Sequence, residues 1–371
     1  HNGISPLPSG YTGKDVIIGF IDTEIDYENP DFKNPDGSTR IISLWDQTLT
    51  GTSTIYGYGI DWDSTEINAG AVSGHNKLSS HGTTVAGAGA GNGLNNGKNK
   101  GVAYESDIIF VALDFGTNFL SNVQDATEYI YRIADSLGKP CVINASAGTS
   151  FGSHDGLDPN AQYIDSLITS SSGHLFVCSA GNDGEKSYHL KHQSVANDTN
   201  FTLFKPNPNR SWAQILNGFG APSCAPACYG DTNVDFLGYA DTANFNNVKI
   251  SISAYHNDRL VATSPHINVP DYLNGLYTTD SYGNYYSSIT NSNGDPIGNI
   301  FMYATIVHDN IYEVRFIVNP DSVENYYWAI NTTGNGFIDI WSDEDKYLTS
   351  NIMKSSDADF PFASKPSNYI D

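Results

Sequence analysis

The chain has 371 residues, with 18 basic and 41 acidic side chains and a formal net charge of −23. That balance argues against a nucleic-acid surface, which needs clustered Lys and Arg, and against attraction to an anionic membrane face. Its 39% hydrophobic and 12% aromatic content is too high for a disordered chain, and no apolar run approaches the roughly 20 residues of a spanning helix.

In chain order, the apolar run 16–21 (Val-Ile-Ile-Gly-Phe-Ile) ends at Asp22 and predicts a strand buried on both faces. Residues 108–113 (Ile-Ile-Phe-Val-Ala-Leu) repeat the pattern. Val123, Ala126, Ile130 and Ile133 recur at helical spacing, so 121–137 predicts a helix stopped by Gly138. Two more strands are expected at 141–143 and 175–178, with a helix over 159–169 between them. Strands alternating with helices place this part in the α/β class, a parallel sheet covered by helices. After about Gly184 the composition changes. Runs at 201–204, 248–253, 300–306, 312–318 and 337–341 read as strands separated by Gly, Asn and Pro turns. They predict an inserted antiparallel β-sandwich, jelly-roll-like in outline. The expected division is therefore 1–184 α/β, 185–350 β-rich, and 351–371 a polar return segment toward a further portion.

The cysteines are sparse. Cys141 and Cys178 lie in apolar runs and read as buried hydrophobes. Cys224 and Cys228 form Cys-x3-Cys in a Pro/Ala/Gly-rich loop, as a local disulfide or as free thiols, with no further ligands nearby for zinc. His189 and His192 sit three apart in an apparent loop and read as surface residues. The Tyr-rich tract 272–286 fits either a sugar-stacking face or ordinary sandwich packing.

Three segments could carry chemistry at the carboxyl ends of the expected parallel strands, where open α/β sheets place their sites. Asp22 is delivered at a strand end, although an isolated Asp there more often caps structure. His81 opens the small-residue helix Ser80-His-Gly-Thr-Thr-Val-Ala-Gly87, which lets the ring project into a cleft while small residues pack behind it. Asn182, in Ser179-Ala-Gly-Asn-Asp-Gly184, either holds a turn or donates a hydrogen bond to developing negative charge.

Together these segments resemble the subtilisin-like serine proteases. Asp22 lies in Asp-Thr-Glu-Ile-Asp-Tyr-Glu-Asn-Pro-Asp-Phe, His81 in His-Gly-Thr-x-Val-Ala-Gly, Asn144-Ala-Ser-Ala-Gly148 is similar to the family's peptide-pairing strand, and Ala180-Gly-Asn182 to its oxyanion segment, all in the family's order. The run 39–48 (Thr-Arg-Ile-Ile-Ser-Leu-Trp-Asp-Gln-Thr) and the β-rich insertion look closest to the Csp-type germination proteases of spore-forming bacteria. The resemblance implies that His81 is the general base, that Asp22 orients it and that Asn182 binds the oxyanion. It further implies that Ser146, Ala147 and Gly148 pair with substrate backbone, and that Ser179 and Asp183 neighbour the primary specificity pocket. It implies secretion or spore association, a polypeptide substrate and a cleaved prosegment.

The pattern breaks at the nucleophile. The family's serine lies in Gly-Thr-Ser-x-x-x-Pro after the other segments, and the two triplets here, at 51–53 and 148–150, have the wrong context and lack the proline. The expectation is a serine endopeptidase completed by a segment or a second chain that carries the serine, without which a hydrophobic sheet edge lies open. The alternative is a catalytically inactive pseudoprotease or a peptide-binding or signalling relative. A third possibility makes the β-rich part an adhesive module. No cofactor is required. The loop 94–103 resembles a calcium-holding loop, but Lys98 and Lys100 disfavour a dication, and no other metal site is expected. Glu24 places a second carboxylate near Asp22.

Overall fold

The structure is a computed structural model and describes residues 10–78, 80–116, 118–149, 152–182, 189–194, 199–204, 234–256, 259–281, 283–320 and 326–342. These fall into two compact units, one within 1–149 and 159–181, the other within 150–158 and 182–371.

The first unit is built on six strands: β1 (Ile17–Asp22), β2 (Ile41–Asp46), β3 (Ile60–Asp63), β4 (Asp107–Ala112), β5 (Cys141–Ala145) and β6 (His174–Cys178). Their order in the sheet is β3-β2-β4-β1-β5-β6. Every pairing is parallel except β2 with β3. Helices α1 (Ser64–Asn68), α2 (His81–Ala90), α3 (Phe119–Ser136) and α4 (Pro159–Thr169) supply the crossovers and cover. Ala126, Ile130 and Ala134 of α3 pack with Ile17, Ile21, Ile109 and Ile143 on one face. Ala86 and Ala90 of α2 pack with Phe20, Leu44 and Phe110 on the other. Burial on both faces is why β1 and β4 read as unbroken apolar runs rather than alternating ones. Gly138 ends α3 with a φ of 63°, a left-handed turn that glycine enters without strain. Among the described residues no helix is long and apolar enough to cross a membrane.

The second unit is antiparallel. Its strands are β7 (His189–Ser194), β8 (Thr199–Phe204), β9 (Val234–Asp241), β10 (Lys249–His256), β11 (Arg259–Thr263), β12 (Ile267–Asn268), β13 (Tyr285–Thr290), β14 (Pro296–His308), β15 (Ile311–Pro320), β16 (Tyr327–Thr333) and β17 (Gly336–Ser342). One sheet runs β11-β10-β16-β8 with β12 beside β10, and the other runs β13-β14-β15-β9-β17-β7. Ile250, Ile252 and Trp328 from the first meet Ile300, Phe316 and Ile338 from the second in one core, the packing of a sandwich.

Two sequence expectations need correction. His189 and His192 lie in β7, not in a loop: the segment pairs with β17, His189 opposite Trp341, and His189 Nε2 lies 3.1 Å from Asp339 Oδ1. The His189 ring stacks on Trp341 with centroids 4.3 Å apart. Cys178 is exposed rather than buried, because β6 is the sheet's outer strand and its Leu175 and Val177 are 52% and 47% exposed. Cys141 is buried as expected. In the Tyr-rich tract, Tyr272, Tyr277 and Tyr285 pack against the sandwich core, while Tyr286 stands exposed over Phe301. Cys224, Cys228 and residues 351–371 lie outside the described residues.

Candidate functional site

Asp22 is the last residue of the central strand β1, opposite Ala112 of β4 in register, and is fully buried at 0% exposure. A parallel strand whose residues are buried on both sides leaves its terminal side chain at the carboxyl end of the sheet but out of water. The carboxylate gathers its donors on one oxygen. Oδ1 accepts from the Thr23 amide at 2.7 Å, from Thr23 Oγ1 at 3.2 Å and from His81 Nδ1 at 2.6 Å. Oδ2 is buried without a hydrogen-bond partner among the described residues. A buried carboxylate left half-satisfied is costly unless a positive charge can form beside it.

His81 is the first residue of α2, and its side chain is 59% exposed. The Nδ1 edge is tied to Asp22, while Nε2 has no partner among the described residues. The helix start is locked onto the segment that follows Asp22. The Gly82 amide, one of the unpaired donors of a first helical turn, donates to Thr23 Oγ1 at 3.1 Å. The Asp26 amide donates to Thr83 Oγ1 at 2.8 Å. Gly82 permits the approach: a Cβ there would lie 2.5 Å from the Glu24 carbonyl oxygen and 2.9 Å from the Phe110 ring. The small residues of His-Gly-Thr-x-Val-Ala-Gly therefore have a packing reason, and Gly82, Ala86 and Ala90 form the buried stripe of α2.

Beyond β5 the chain continues as Ser146-Ala147-Gly148. Asn144 Nδ2 donates to Ser146 Oγ at 3.0 Å, the Ser179 amide donates to the Ala145 carbonyl at 3.1 Å, and Ser179 Oγ donates to the Ala147 carbonyl at 3.4 Å. Ser146 and Ala147 are half-buried and Gly148 is exposed, with open space where its Cβ would stand. The backbone groups of Ser146 and Gly148 have no partners among the described residues, which leaves them available to a chain laid alongside. Asn182 is exposed and follows Gly181, whose φ of 82° turns the chain out of β6. Asn182 opens the second unit, and Asp183 lies outside the described residues.

No group of three or more His, Cys, Asp or Glu among the described residues could hold a metal ion. In the 94–103 loop, the Asn95 amide donates to Asp31 Oδ1 at 2.7 Å. The buried Arg40 guanidinium donates to the carbonyls of Asp31, Ala90 and Ser106, at 3.2, 2.7 and 2.7 Å, and so places a positive charge beside that loop. Burial draws Arg40 below its ordinary value, while Asp107 and Glu105 act to raise it.

A second histidine–aspartate pair escaped the sequence reading. His75 Nδ1 lies 2.7 Å from Asp46 Oδ2, with the two side chains 0% and 1% exposed. Asp46 ends β2 in Ile-Ile-Ser-Leu-Trp-Asp, much as Asp22 ends β1 in Ile-Ile-Gly-Phe-Ile-Asp. That likeness was the available signal. His75 itself, in a polar connection, gave none.

The model of the Subtilase family matches residues 13–290. Among solved structures, the CspB protease of Clostridium perfringens is similar over 93% of this chain and 67% of that one, with a TM-score of 0.64 at 20% sequence identity. The S41 psychrophilic protease matches at 26% identity over 46% of this chain and 47% of its own, with a TM-score of 0.34. Sphericase matches at 23% over 48% and 49%, with a TM-score of 0.35. The likeness to the clostridial protease covers both units and shows a shared fold.

Proposed function

The chain belongs to the subtilase family, and from that premise we propose that it forms part of a serine endopeptidase acting on extended polypeptide. A serine hydroxyl is a weak nucleophile at neutral pH and needs a base within hydrogen-bond reach. His81 Nε2, the open nitrogen of an exposed ring, takes the serine proton as Oγ bonds to the scissile carbonyl carbon. The Asp22 carboxylate, 2.6 Å from Nδ1, holds the Nδ1–H tautomer and stabilises the imidazolium. His81 then returns the proton to the leaving amine as the carbon–nitrogen bond breaks, and water hydrolyses the acyl ester by the same route. By the family resemblance, Asn182 is the candidate donor to the tetrahedral oxyanion. Ser146, Ala147 and Gly148 receive substrate as an added strand, and Ser179 borders the pocket for the side chain before the scissile bond.

The nucleophile comes from a segment or a second chain outside these 371 residues. Ser53, in one of the two Gly-Thr-Ser triplets, is engaged with β3, where its Oγ accepts the Asp61 amide at 2.8 Å. The apolar face that β6 exposes through Leu175 and Val177 supports a further portion docking there. The observation that carries the proposal is the contact between a fully buried Asp22 and an exposed His81. Its test is hydrolysis of a quenched fluorescent peptide library by the natural full-length protein or complex. Turnover abolished by His81→Ala is expected. A second reading, a peptide-holding relative without hydrolysis, draws on the backbone of Ser146 and Gly148, which has no partner among the described residues, and on the two Gly-Thr-Ser triplets lacking the family context. Saturable peptide binding with no turnover in that same assay would favour it.

A further inference from the structure

We propose that His75 and Asp46 are positioning residues that hold the 23–26 segment in register with α2, and thereby set the geometry of Asp22 and His81. The proposal rests on the dyad role given to those two residues above. Asp46 is saturated. Its Oδ1 accepts from the Thr48 amide at 2.9 Å and from Thr48 Oγ1 at 2.6 Å, while Oδ2 meets His75 Nδ1. The ring is thus pinned to the end of β2, and its other nitrogen reaches Ile25, three residues past Asp22. His75 Nε2 stands 3.0 Å from the Ile25 carbonyl oxygen and 3.3 Å from the Ile25 amide nitrogen. An imidazolium donates to the carbonyl and a neutral ring accepts from the amide, so the grip on Ile25 persists in either form.

Ile25 lies inside the segment that seats α2. Before it, Thr23 Oγ1 accepts the Gly82 amide and the Glu24 carbonyl packs against Gly82. After it, the Asp26 amide donates to Thr83. His75 therefore grips a stretch whose neighbours touch the two residues directly after His81. Movement of Ile25 would carry this seat, and with it the 2.6 Å contact between Asp22 and His81. Beside the ring stands the Tyr27 side chain, 6.0 Å between centroids, and Lys77 lies over Tyr27 and pairs with Glu28. The saturated second pair thus acts through backbone, without contact with substrate.

Two variants separate this role from plain structural support. In His75→Asn the carboxamide sits where Nδ1 was, keeping Asp46 and releasing Ile25. In His75→Gln it sits where Nε2 was, keeping both Ile25 groups and releasing Asp46. Stability should fall more in His75→Gln, where a buried carboxylate loses its partner. Activity per folded molecule should fall more in His75→Asn, by between about tenfold and a hundredfold in kcat with KM little changed, while His75→Gln stays within a few fold. The assay uses the natural full-length protein, with thermal unfolding followed in parallel. Nitrogen-15 NMR of His81, which needs no serine, gives a second readout: a mixed tautomer in His75→Asn and the Nδ1–H tautomer in His75→Gln are expected. If the protein proves to have no turnover, the NMR result decides alone. Activity that follows stability in both variants, or a His81 tautomer unchanged in His75→Asn, overturns the proposal.

Discussion

Two strands of one sheet end alike and are put to different use. β1 and β2 flank β4, both run apolar to a terminal aspartate, and both aspartates stand opposite Ala112 in register. Each meets the Nδ1 of a histidine, at 2.6 Å for Asp22 and 2.7 Å for Asp46. At Asp46 both carboxylate oxygens and both ring nitrogens are engaged, and His75 is sealed at 0% exposure. At Asp22 one oxygen has no partner among the described residues, and His81 is 59% exposed. Saturation makes one pair a fastening. The unspent valences of the other are what a proton-transfer site requires, and they are held in place by the fastening beside them.

The contrast breaks most visibly if activity is removed from one pair and stability from the other. Asp22→Asn should lower turnover by about 10⁴-fold through loss of the correct tautomer, yet shift stability by less than about 1 kcal/mol, because an oxygen already unpaired has little to lose. Peptide hydrolysis and chemical denaturation of the same preparation check both halves. Asp46→Ala should show first in stability, costing about 1–3 kcal/mol by leaving a buried His75 donor without its partner, as read from the denaturant midpoint. Gly82→Ala tests the joint between the pairs. Its Cβ would meet the Glu24 carbonyl oxygen at 2.5 Å, so the first turn of α2 must shift. A loss of about 1–3 kcal/mol is expected, with a fall in kcat beyond the loss of folded protein.

The last effect shows only in alkali and concerns the sheet on which both pairs stand. Burial pushes the Cys141 thiol up from 9.0 to about 12. The folded protein therefore keeps a proton that the unfolded chain releases above about pH 9. The thiol's contribution to stability is constant below pH 9 and declines as pH rises from 9 to about 12. Its slope is at most about 1.4 kcal/mol per pH unit. Cys141→Ala should flatten the alkaline limb of a stability-against-pH curve by that amount and leave the limb below pH 9 unchanged.

The parallel sheet and its helices were legible in the sequence because each element signals itself locally. The 121–137 helix expected from apolar spacing is Phe119–Ser136 in the structure, and the 159–169 helix is Pro159–Thr169. What stayed hidden depends on distant partners. β7 is the polar segment His-Leu-Lys-His-Gln-Ser, recognisable as a strand only through its pairing with β17. Cys178 misled because an apolar run looks the same whether one face of a strand is covered or both, and β6 is an edge. The site divides in the same manner. Asp22 and His81 stood out through strand end and helix start, and the structure brings them together. The His75–Asp46 contact joins residues 29 apart, with β3 and α1 between them, and no periodicity points from one to the other.

The most direct measurement of the central claim is the denaturing intact mass of the natural protein after treatment with a fluorophosphonate that marks activated serines. The account predicts a single label on a serine outside these 371 residues, present with His81 intact and absent in Asp22→Ala or His81→Ala. A folded preparation that takes up no label, or one labelled equally in those variants, would contradict it.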